Sequence, residues 1–107
     1  MSIYQIFIFM FYALDAVYDE VPNETLGNYL SGLNPFLFND EGSADPAEFE
    51  QFKTAYNEIF NGTTQDAGML YDFCKAYLVK NAPSEVIKAF GQVEKEEWIE
   101  LFEKTIK

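Results

Sequence analysis

The stretch 3–14, IYQIFIFMFYAL, constrains this chain more than any other. Eleven of its twelve residues are apolar or aromatic, and Gln5 is the one strong polar interruption. A strand there has to be central, because both alternating faces are apolar, and its Ile and aromatic content favours strands. A helix there has to be surrounded by protein or lipid, since it has no polar face. The run exceeds the roughly 4–8 residues of an ordinary strand, which favours the helix. Ala13, Leu14, Ala16 and Val17 carry the helical pattern on to about Tyr18.

A membrane span needs about 20 apolar residues, and Asp15, Asp19 and Glu20 close this run too soon. A secretory signal needs a basic start and a small-residue cleavage site, whereas the first lysine is Lys53. The expectation is a soluble, cytoplasmic protein, with the first helix at the centre of a bundle.

The 107 residues suit one domain, 1–107, large enough to build a core without staples. The single cysteine, Cys74, allows no internal disulfide and fits a reducing compartment. The net charge of −11 is unevenly placed. Residues 1–52 carry nine acids and no lysine, whereas residues 53–107 carry nine acids and all seven lysines. Such a field repels nucleic acid and anionic membrane and attracts basic proteins.

Local signals divide the rest of the chain into five further helices. Pro22 ends the first, and Asn23 caps a short second one with the apolar stripe Leu26, Tyr29, Leu30, Leu33. Gly27 and Gly32 each weaken that helix by about 1 kcal/mol relative to Ala. Asn34 and Pro35 open the irregular segment 34–46. It closes on Asp45, Pro46 and Glu48, a capping-box-like start for a third helix. Phe49, Phe52, Tyr56, Ile59 and Phe60 face its core, and Gly62 ends it.

Thr63, with Asp66 three residues on, is the expected cap of a fourth helix bearing Leu70, Phe73, Cys74, Tyr77 and Leu78. Ser84 is the expected cap of a fifth, which buries Val86, Ile87 and Phe90 and ends at Gly91. A sixth begins near Glu94 with Trp98, Leu101, Phe102 and Thr105 inward. The fold class is therefore all-α: a compact single-domain bundle of about five to six helices around a hydrophobic N-terminal helix.

Chemistry-bearing constellations are few. Segment 39–50 meets half the spacing of a calcium loop, with Asn39, Glu41, Ser43, Asp45 and Glu50 at its first, third, fifth, seventh and twelfth places. However, Ala44 stands where Gly is required, and Pro46 stands where an apolar residue normally sits. Glu96, Glu97, Glu100 and Glu103 lack the histidines of a di-metal bundle, because the chain has none; Glu100 and Lys104 instead suit an i,i+4 ion pair. Cys74 has no histidine to activate it and reads as a buried structural thiol. Asp15 and Asp19, one turn apart, are the one carboxylate pair worth watching in a cleft. No metal, cofactor or catalytic residue is expected, and the chain reads as non-enzymatic.

Phe36 and Phe38 are large apolar residues in a loop flanked by Asp40 and Glu41. Apolar anchors inside a charged rim suit recognition of a protein. The expected function is a small acidic protein-binding module that engages a basic protein partner through its acidic N-terminal half and the 34–46 loop. Phe36, Phe38, Asp40 and Glu41 are the candidate contacts. The alternative is a homodimer or larger homo-oligomer associating through the aromatic N-terminal helix.

Overall fold

A computed structural model describes residues 2–35, 42–60 and 66–106. Its elements are α1 (Ile3–Glu20), α2 (Glu24–Leu33), α3 (Pro46–Phe60), α4 (Ala67–Asn81), α5 (Ser84–Gly91) and α6 (Lys95–Ile106), with no strand among the described residues. The protein is an all-α bundle. No helix in it is long and apolar enough to cross a membrane, among the described residues.

Gln5, the polar interruption, belongs to the start of α1. Its backbone N–H donates to Ser2 Oγ at 3.1 Å, and its side-chain Oε1 accepts from the Ser2 N–H at 2.9 Å. This reciprocal box satisfies two N–H groups that the helix terminus would otherwise leave unpaired. The helix then runs 18 residues, slightly beyond Tyr18. Ile6, Phe7, Met10 and Leu14 form its fully buried stripe. It packs directly against α2, α3 and α5, while α4 packs on α3, α5 and α6.

Aromatic rings join these layers. Phe52 of α3 meets Phe7 of α1 and Phe73 and Tyr77 of α4 edge-on, with centroids 5.1–5.3 Å apart. Trp98 of α6 stacks on Phe102 at 4.9 Å and takes the edges of Phe9 and Tyr71. Edge and offset pairs of this kind add about 0.5–1.5 kcal/mol each beyond the area they bury. Phe7 is fully buried, and Phe9 and Phe11 are half-buried against the core, so the chain's own helices cover these rings.

Three expectations about α1, α3 and α6 are corrected. The first helix is not buried on every side: Gln5, Tyr12, Ala16 and Asp19 form an exposed stripe, with Tyr12 52% exposed. Ile59 and Leu101, expected inward, are 62% and 50% exposed. Their neighbours Phe60 and Phe102 occupy the core, and one helix cannot point both members of an i,i+1 pair at the same neighbour. The side chain of Thr105 lies outside the described residues.

Two caps also differ. Asp66 itself caps α4, its Oδ1 accepting from Met69 N at 2.8 Å, so the helix starts later than a Thr63 cap implies. Thr63 and Gly62 lie outside the described residues. Pro83, not Ser84, precedes α5, and its carbonyl accepts from Val86 N and Ile87 N. Its ring holds φ at −63°, which suits the extended residue before a helix. Asn23 caps α2 as expected, accepting from Leu26 N at 3.0 Å.

Candidate functional site

The four candidate contacts, Phe36, Phe38, Asp40 and Glu41, lie outside the described residues. The two ends of the segment that carries them are described, and they are tied together. Ala44 N donates to Asn34 O, and Asp45 N donates to Gly32 O, both at 2.9 Å. Pro35 is buried, and its carbonyl accepts from the Tyr4 hydroxyl at 2.6 Å. The two described ends of the segment therefore meet at one place, the C-terminal end of α2.

The start of α3 is built into the same junction. Ser43 is buried; its Oγ accepts from Phe49 N at 3.0 Å and donates to the Asp45 carbonyl. Asp45 Oδ1 accepts from Ala47 N at 3.1 Å. The capping box expected with Glu48 is not reciprocal, because the Asp45 N–H is already given to Gly32. Ser43 and Asp45, two members of the calcium-like spacing, thus spend these oxygens on the backbone of the helix start. Asn39 and Glu41, two more members, lie outside the described residues.

Beside this junction an open cleft runs between α1 and α2. Phe11, Asp15 and Tyr18 line one wall, and Glu24, Gly27, Asn28, Leu30, Ser31 and Asn34 line the other. A Cβ on Gly27 would stand 2.9 Å from Tyr18 Cε2, so the absent side chain is what lets the Tyr18 ring lie against α2. Gly27 weakens the helix but shapes the cleft wall. Asp15 and Glu24 form no ion pair among the described residues. Carboxylates and amides on the two banks make the cleft a hydrogen-bond acceptor surface for ammonium or guanidinium groups. Asp19, one turn on in the same helix, is exposed and does not line this cleft, so the cleft does not enclose the pair.

The remaining candidates are structural or solvated. Cys74 is fully buried among apolar neighbours, which pushes its thiol well up from the ordinary value and keeps it protonated. Glu96, Glu97, Glu100 and Glu103 are exposed, and Lys104 pairs with Glu100 at 3.0 Å. Lys95 of α6 reaches both oxygens of Asp72 on α4 at 3.0 Å. Among the described residues no group of three or more acids and cysteines is arranged to hold a metal ion.

A second cleft was not foreseen. It lies between α1 and α6, lined by Phe9, Tyr12, Ala13, Ala16 and Val17 from α1 and by Trp98 and Leu101 from α6. Glu20, Gln92, Val93 and Glu97 complete its edge. The indole Nε1 of Trp98 is buried without a hydrogen-bond partner among the described residues, as is the Tyr29 hydroxyl elsewhere. The sequence held one signal for this cleft: Ala13 and Ala16 put small residues between large ones on the side of α1 away from Phe7.

Comparison with protein-family models, with curated proteins and with solved structures finds no match to this chain.

Proposed function

We propose that the protein is a non-enzymatic binding module for a basic protein, engaged by the acidic N-terminal half and the 34–46 loop. One observation carries this reading. The α1–α2 cleft, edged by Asp15 and Glu24, reaches Asn34, whose carbonyl accepts from Ala44 N and so ties together the two ends of the segment that carries Phe36, Phe38, Asp40 and Glu41 in the sequence. The acid-lined cleft therefore runs up to the two anchor points of that segment. The charge of −9 on residues 1–52 steers a cationic partner toward this half of the chain. The protein acts in the cytoplasm, where its lone thiol, Cys74, stays reduced.

The test compares capture of partners by the wild-type protein with capture by Phe36→Ala/Phe38→Ala, Asp40→Lys/Glu41→Lys and Asp15→Lys/Glu24→Lys. A basic protein retained by the wild type and lost from the charge-reversed variants, with affinity falling as salt rises, is the expected result. Capture that is the same for all four proteins overturns the reading.

A further inference from the structure

The α1–α6 cleft continues past its own end. Val17, Glu20 and Gln92 also line a neighbouring open cleft between α1, the start of α2 and α5, with Val21, Leu26 and Ala89 as its apolar members. From Phe9 to Val21 the combined trough follows α1 for roughly 18 Å, about three turns of a helix. At 3.6 residues per turn, Phe9, Ala13 and Ala16 lie on the opposite side of α1 from Phe7. The trough is thus distinct from the sealed side of the bundle.

Its floor and banks are apolar. Tyr12 and Leu101 stand on opposite banks, each about half exposed, and Val21 is 68% exposed at the far end. Ala13 and Ala16 leave room between them. Glu20 and Glu97 edge the first part, and Glu85 edges the second together with Lys88, one turn on in α5. Three carboxylates against one ammonium make the rim acidic.

We infer that this trough seats an amphipathic helix of a basic protein. Leucine-sized side chains lie along Ala13 and Ala16, and lysine or arginine side chains reach Glu20, Glu85 and Glu97. A three-turn apolar channel with flanking charge is what a helix presenting i, i+3, i+4 and i+7 anchors fits. The charge selects among occupants. A second copy of this chain carries the same −11 and would set Glu20 and Glu97 against their own kind. A small molecule gains little from a cleft open along its length, since ligand sites usually enclose most of the ligand surface. The inference shares the partner's basic chemistry with the proposed function, but the trough is lined by none of Asp15, Glu24, Phe36, Phe38, Asp40 and Glu41, the residues varied to test that reading, so either can fail alone.

The probe is a synthetic helix of about 18 residues with leucines on one face and lysines on the flanks, long enough to hold helical structure. It is titrated into the full chain by calorimetry, with the fluorescence of Trp98, the only tryptophan, followed in parallel. Saturable one-to-one binding that moves the Trp98 signal is the expected result. Ala16→Arg and Leu101→Lys, both at exposed positions, weaken it at least about tenfold, while Val79→Lys on exposed α4 surface leaves it unchanged. Equal weakening by Val79→Lys reduces the effect to bulk charge and overturns the inference. Three other results overturn it as well: no binding, equal binding of the same helix with glutamates for lysines, or a dimer of the free chain that Leu101→Lys dissolves.

Discussion

On one side of α1, Phe7 is fully covered by Phe49 and Phe52, and the neighbouring helix start is closed by the buried Ser43. On the other side, Phe9 reaches Trp98 and Phe102, yet Tyr12 and Leu101 remain about half exposed above a trough. Both sides belong to the same apolar run. The difference lies in what arrives from elsewhere in the chain. Large rings of α3 fill the first side, whereas Ala13 and Ala16 leave the second open toward α6. The first side is closed by packed rings, and the second keeps an open trough between half-exposed Tyr12 and Leu101.

The sharpest way to break this comparison is to truncate one large side chain on each side. Phe7→Ala removes a fully buried ring and is expected to cost about 3–5 kcal/mol in urea unfolding, while Leu101→Ala stays within about 1 kcal/mol. Equal losses would show that the two sides are packed alike. A smaller effect is expected at Ser43. Ser43→Ala leaves the buried Phe49 N–H without its acceptor, at a cost of about 1–3 kcal/mol, read as a lowered urea midpoint with an unchanged slope. An unchanged midpoint would mean that the helix start does not depend on this hydroxyl.

The smallest expected effect depends on pH. Burial, assisted by the charge of Asp45, holds the Glu48 carboxyl above its ordinary value. The native state then binds this proton more tightly than the unfolded chain does, so stability falls as pH rises from the ordinary glutamate range through the native value. Glu48→Gln removes that dependence. The variant is expected to be more stable than the wild type at neutral pH and equal to it below the ordinary glutamate range. Urea midpoints of the two proteins at both pH values test this. A variant less stable at neutral pH would show that the Glu48 charge is held by an attraction stronger than its desolvation.

Much of the fold was legible because its signals are local. Asn23 announced α2 through a short side chain that can reach its own helix N–H groups, and Asp45 with Pro46 marked the start of α3. The stripe Leu70, Phe73, Cys74, Tyr77 and Leu78 is buried throughout, as its spacing required. The box between Ser2 and Gln5 was equally present in the residues but was hidden by the apolar run that follows it. The α1–α2 cleft was only half legible. Its acids were visible as charge, but the close seat of Tyr18 against Gly27 depends on a helix pairing that no local pattern encodes.

By itself the sequence determined six amphipathic or apolar helices, the starts of α2 and α3, the apolar face of α4, and an acidic N-terminal half. Each of these depends on residues within a few turns of one another. Only the tertiary structure decided that Leu101 and Ile59 stay exposed, that Ser43 closes the start of α3, and that one side of α1 remains open. Periodicity records which side of a helix is apolar. Whether that side is covered depends on the volume and direction of side chains that arrive from distant elements, and these meet only when the bundle is assembled.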